Sequence, residues 1–150
     1  MTTSVRVLHL EDDPSDAQRI REALPGEDLA CDIVWVRSSE DFFRALEQQR
    51  PFDLVLCDYE AGGLEVLRET RHRQPALPIL MISTGLTEEQ AVECMKAGAT
   101  DYILHQHLPR LGFSLRRAFA EQQRRAALQG AGGGVGALYG GLGGRVRRRT

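Results

Sequence analysis

The chain has 150 residues and a mass of 16.7 kDa; 42% of its residues are apolar and its formal charge is −2. That size suits one domain with a hydrophobic core, and no apolar run reaches the roughly 18 residues that a membrane span needs. Residues 130–150 hold four arginines and no acid, which leaves −6 on residues 1–129 and argues against a nucleic-acid surface there.

Met1-Thr2-Thr3-Ser4 leads into a strand pattern without a signal-peptide stretch, so the cytoplasm is the expected location. The first strand is expected over 5–10 and runs into Glu11, Asp12 and Asp13. Pro14 and Ser15 mark a helix start, Ala17, Ile20 and Leu24 keep a helical rhythm, and Pro25-Gly26 is the expected stop. The β-formers of 31–36 predict a second strand, and Ser38 or Ser39 is placed to cap the helix holding Phe42, Phe43 and Leu46. A third strand over 54–57 delivers Asp58, and a helix with Leu64, Val66 and Leu67 follows.

The nearly continuous apolar run 78–82 reads as a central strand covered on both faces, ending at Ser83-Thr84-Gly85. Thr87-Glu88-Glu89-Gln90 has the form of a capping box, with Gly98 as the glycine past the helix end. A fifth strand over 101–104 ends at His105, and a last helix runs from Pro109 to about Gln129. Cys31, Cys57 and Cys94 sit in apolar surroundings without paired spacing and read as buried free thiols. Strands alternating with helices at this spacing predict an open α/β sandwich with a parallel sheet. Residues 1–129 form the expected domain. Residues 130–150, nine of which are glycine, form an expected disordered tail.

In such a sheet the carboxyl ends of the strands open onto one crevice. Glu11, Asp12 and Asp58 would meet there, and repelling carboxylates at close range call for a hard divalent cation such as Mg²⁺. Asp58, a lone acid ending an apolar strand, is the candidate nucleophile for a phosphoryl group, with Glu11 and Asp12 sharing the cation. Ser83 and His105, at the mouths of the fourth and fifth strands, face the same region. His9 reads as a packing residue and His107 as a surface one.

Together these segments resemble the response regulator receiver domains of bacterial two-component signalling. The resemblance covers about residues 4–127. It rests on Val7-Leu8-His9-Leu10-Glu11-Asp12-Asp13-Pro14, Asp53-Leu54-Val55-Leu56-Cys57-Asp58-Tyr59, Gly63-Leu64-Glu65-Val66-Leu67-Arg68, Pro78-Ile79-Leu80-Met81-Ile82-Ser83 and Ala97-Gly98-Ala99-Thr100-Asp101-Tyr102. It implies a doubly wound, flavodoxin-like α/β fold with five parallel strands in the order 2-1-3-4-5. By the same resemblance Asp58 is the phospho-acceptor, Glu11 and Asp12 bind Mg²⁺ with the backbone carbonyl of Glu60, Ser83 follows phosphorylation, and Tyr102 is the aromatic switch residue. The implied partners are a histidine kinase or phosphotransfer protein, a downstream protein at the 4-5 face beside the fourth helix and fifth strand, and a second copy at that face. Neither nucleic acid nor membrane is among them.

Two departures stand out. The loop after Asp58 is about three residues short and lacks the family's proline, and His105 stands where the family has a lysine, a long and permanently charged ammonium. The first expectation is a single-domain regulator that accepts phosphoryl on Asp58 and is not a conventional enzyme, since no output domain fits after residue 129. The alternative is a degenerate receiver that binds proteins without phosphorylation. A haloacid-dehalogenase-like hydrolase is a third class, disfavoured because Glu60 is the only acid near the general-acid position and no cap domain is present.

Overall fold

A computed structural model describes residues 3–24 and 29–140. Five strands, β1 (Thr3–Leu10), β2 (Leu29–Val36), β3 (Leu54–Asp58), β4 (Ile79–Ser83) and β5 (Asp101–Leu104), pair in parallel in the order β2-β1-β3-β4-β5. Between and after them run α1 (Pro14–Ala23), α2 (Ser39–Gln48), α3 (Gly63–Arg73), α4 (Glu88–Lys96) and α5 (Pro109–Gly140). The doubly wound α/β fold implied by the sequence, with strand order 2-1-3-4-5, is the observed one.

Each strand splits its side chains between two cores because successive residues point to opposite faces. Leu8, Leu10, Val55, Cys57, Ile79 and Met81 pack on one side with Phe42 and Leu67. Val5, Val7, Leu54, Leu56, Leu80 and Ile82 pack on the other with Ile20, Leu111 and Leu115. β3 and β4 are buried throughout, as expected of strands covered on both faces.

Local signals fix the helix ends. The Asp13 side chain accepts from the backbone N–H groups of Ser15 and Asp16, with Pro14 in the first turn. Ser38 caps α2, and Thr87 and Gln90 close the capping box read from the sequence. Gly98 has φ +109°, and its carbonyl accepts from Arg71 at 2.6 Å, so a side chain there would strain the backbone and meet the guanidinium arm. Cys57 and Cys94 are buried free thiols as expected, whereas Cys31 is only half-buried on the edge strand β2.

The last helix extends past its expected end near Gln129 to Gly140. Adding a residue to an existing helix fixes one residue per hydrogen bond, whereas starting a helix fixes several, so propagation tolerates poor helix formers better than nucleation does. Residues up to Phe119 form one compact unit and those from Ala120 a second. Within the second, Glu121 pairs with Arg124 and Arg125. The expected stop Pro25-Gly26 and residues 141–150 of the expected tail lie outside the described residues. No helix among the described residues is long and apolar enough to cross a membrane.

Candidate functional site

Strand register assembles the site. Leu10 lies opposite Cys57, Asp58 opposite Ile82, and Ser83 opposite Leu104, so Glu11, Asp58, Ser83 and His105 reach the same edge of the sheet. Alternation then sorts them. Glu11 and Asp58 continue the face of Val7 and Leu56, and His105, two residues past Ile103, continues it too. Ser83 continues the opposite face, with Met81. One ligand atom each from Glu11, Asp58 and His105 lies within 4.8 Å of the others, and all three residues are buried.

Glu11 is held by its backbone. Its N–H donates to the Val36 carbonyl at 3.0 Å, and the Trp35 indole donates to its carbonyl at 2.7 Å. Its carboxylate Oε2 accepts from the Asp13 N–H at 3.1 Å, while the buried Oε1 has no partner among the described residues. Arg37 donates to the Asp12 carbonyl at 2.9 Å, leaving the Asp12 carboxylate exposed at the rim. Trp35 and Arg37 have no local signal in the sequence, because they act from β2 and the residue just past it, across a pairing visible only once the sheet is formed. Asp13 is committed to the α1 cap.

Electrostatics favour a cation here. Burial pushes the Asp58 carboxyl up to about 8, helped by the charges of Glu11, Glu60, Asp12 and Asp16. Burial likewise pushes Glu11 up to about 7, opposed by the Asp13 N–H and reinforced by Asp16, Asp12 and Asp13. A divalent ion would offset both penalties and give Oε1 of Glu11 a partner, so the carboxylates fit a hard cation such as Mg²⁺, while the buried His105 beside them offers a nitrogen donor that suits later first-row ions better. His9 sits behind the site at 1% exposure, and burial lowers it to about 4, with further lowering from Arg21 and His105. His107 is exposed.

The short loop is a single 3₁₀ turn, Tyr59–Ala61, closed by Gly62 in the left-handed region at φ +79°. A Cβ on Gly63 would lie 2.9 Å from the Asp58 carbonyl carbon, so only glycine lets α3 start this close to the acceptor. The turn sends the Glu60 carboxylate across to β4. There it accepts from the Ser83 hydroxyl at 2.6 Å and from the Thr84 N–H at 3.1 Å. The sequence places the Glu60 carbonyl as a metal ligand and its carboxylate near a hydrolase's general-acid position, but not on Ser83 and Thr84. His105 opens a second 3₁₀ turn, His105–His107, and is 8% exposed; neither ring nitrogen has a hydrogen-bond partner among the described residues, and Nδ1 lies 3.9 Å from Asp16 Oδ1.

Away from this edge, Leu86, Ala91, Val92, Met95, Tyr102 and Leu104 line a groove of about 670 Å³ between α4 and β5. Val92 and Met95 are large exposed apolar residues beside it.

A family model of the response regulator receiver domain matches residues 7–110. The transcriptional regulatory protein ZraR of Salmonella typhimurium is 32% identical over 127 residues, covering 82% of this chain and 28% of its own length. The chain thus spans less than a third of that relative. A CheY-like response regulator receiver domain protein from Methanospirillum hungatei has a TM-score of 0.69 at 22% identity, over 83% of this chain and 99% of its own. NtrX from Brucella abortus has a TM-score of 0.74 at 23% identity, over 86% of this chain and 29% of its own. At those identities the two structures speak for the fold alone.

Proposed function

Because the chain belongs to the response regulator receiver family, we propose that it takes a phosphoryl group onto Asp58 from a histidine kinase or phosphotransfer protein in the cytoplasm and signals through protein contacts. The observation that carries this reading is the buried Asp58 carboxylate at the end of β3, with Glu11 beside it on the same face of the sheet.

In the proposed step an Asp58 carboxylate oxygen attacks phosphorus, the P–N bond to the donor's imidazole breaks, and the imidazole leaves with its electron pair. An acyl phosphate remains on Asp58. Glu11, Asp12, Asp58 and the Glu60 carbonyl would hold Mg²⁺, which when bound offsets the negative charge of the phosphoryl oxygens. The Ser83 hydroxyl, once released from Glu60, donates to a phosphoryl oxygen. That exchange and the groove beside Tyr102 supply a route to a downstream partner or a second copy at the 4-5 face. No diffusible metabolite is turned over, so the chain acts as a switch rather than as a conventional enzyme.

Beryllium fluoride, a tetrahedral phosphoryl analogue, tests the reading by ¹⁹F NMR. With Mg²⁺ the native chain should give protein-bound fluorine signals, and Asp58→Ala should give none. Equal bound signals in both proteins would rule out Asp58 as the acceptor.

A second reading is favoured by the Glu60 contacts. A carboxylate already occupies Ser83 and Thr84, the donors a phosphoryl group would use, so a receiver that binds its partner without phosphorylation is the alternative. Partner affinity unchanged by Asp58→Ala, yet lost on altering exposed residues near Tyr102, would favour it.

A further inference from the structure

We infer that His105 joins Glu11 and Asp58 as a nitrogen ligand, making this crevice a site for a borderline first-row transition ion of the Zn²⁺, Co²⁺ or Ni²⁺ class in preference to Mg²⁺. Three observations meet here. One ligand atom from each residue lies within 4.8 Å of the other two. His105 is more than nine-tenths buried, with neither ring nitrogen hydrogen-bonded among the described residues. Oε1 of Glu11 is buried without a partner in the same place.

Buried polar atoms are nearly always satisfied, and Oε1 of Glu11 and the acceptor nitrogen of His105 are the atoms a bound cation would satisfy. A lysine at position 105 would supply a fixed positive charge and no metal-ligating atom while charged. Imidazole reverses the situation. It adds a donor of intermediate softness that later first-row ions bind well and that Mg²⁺, which demands oxygen, does not reward.

Two carboxylates and one imidazole are three protein ligands, which leaves positions open as in catalytic rather than structural zinc sites. Bond lengths of about 2.0–2.2 Å put ligand atoms roughly 3.0–3.5 Å apart, a spacing that side-chain rotation can reach from within the 4.8 Å limit. Asp16, whose Oδ1 lies 3.9 Å from His105 Nδ1, is placed to orient the ring.

The inference shares its crevice with the proposed phospho-acceptor site but not its chemistry, and its test contains no phosphoryl donor. A chain that binds the ion through His105 yet takes up no phosphoryl would uphold this inference and sink the other reading, and the converse result would do the reverse.

The experiment titrates the full chain with Co²⁺, read by its visible absorption, and with Mg²⁺ by calorimetry. The native chain should bind one Co²⁺ at least about tenfold more tightly than Mg²⁺. His105→Ala should weaken Co²⁺ binding about tenfold or more and leave Mg²⁺ binding within about twofold, while replacing the exposed His72 and His107 by Ala should change neither. His105→Gln serves if the alanine variant loses its circular-dichroism signal. Independently of any variant's folding, Zn²⁺ should shift the ring resonances of His105 in the native chain. Equal Co²⁺ affinity with and without His105, loss of binding on removing His72 and His107, or unshifted His105 resonances would each overturn the assignment.

Discussion

Asp58 and Glu11 are buried side by side, and burial raises the carboxyl of Asp58 to about 8 and of Glu11 to about 7, against ordinary values of 3.8 and 4.5. Without a metal, the folded chain therefore holds protons that the unfolded chain has already released. The stability tied to those protons is fully present below pH 4 and is lost as pH rises through 7 and 8, by about 1.4 kcal/mol per pH unit for each retained proton. His9 acts oppositely, since its depressed value removes stability as pH falls from 6.5 towards 4. Between pH 6.5 and 8 the carboxyls dominate, and the thiols of Cys31, Cys57 and Cys94, which burial also pushes up, add to the loss only as pH nears their ordinary value of 9. In a chelating buffer the melting temperature should fall between pH 6.5 and 8.5, and Asp58→Asn should flatten that slope and raise stability at pH 8.5 by on the order of 2 kcal/mol. The same slope in both proteins would mean that Asp58 is not the strained group.

At the scale of elements, the 3₁₀ turn after β3 decides how Ser83 is occupied. Shortening the loop brings α3 against the Asp58 carbonyl through Gly63 and swings the Glu60 carboxylate onto Ser83 and Thr84. Removing that carboxylate with Glu60→Ala frees both donors and takes one repelling charge away from Asp58, while the backbone carbonyl of residue 60 remains. Phosphoryl uptake from acetyl phosphate should then accelerate by roughly tenfold, equivalent to about 1.4 kcal/mol. An unchanged or slower rate in a stopped time course would show that Glu60 does not compete with the incoming group. The turn itself was legible as a departure, since Gly62 and Gly63 stand where a longer loop was expected. The destination of the Glu60 side chain was not, because it depends on β3 and β4 lying side by side.

Across the whole molecule, the most legible features were those written locally. The apolar strands with an acid at the end, the Thr87 and Gln90 capping box, and Gly98 past α4 each appear in the structure as read. Less legible was anything requiring two distant segments. His105 reads from the sequence as facing the site from the end of the fifth strand, but its burial on the face shared with Glu11 and Asp58 appears only with the parity of β5. Trp35 and Arg37 brace Glu11 and Asp12 only because β2 pairs with β1 in this register. The extension of α5 to Gly140 was missed because glycine content argues against a helix starting, not against one continuing.

The central claim is that this edge of the sheet transfers phosphoryl to Asp58. The most direct measurement is the intact mass of the chain after incubation with acetyl phosphate and Mg²⁺, beside Asp58→Ala and a metal-free control. The account predicts the gain of one phosphoryl group in the native chain with metal and none in either control. No gain in the native chain with metal, or an equal gain in Asp58→Ala, would contradict it.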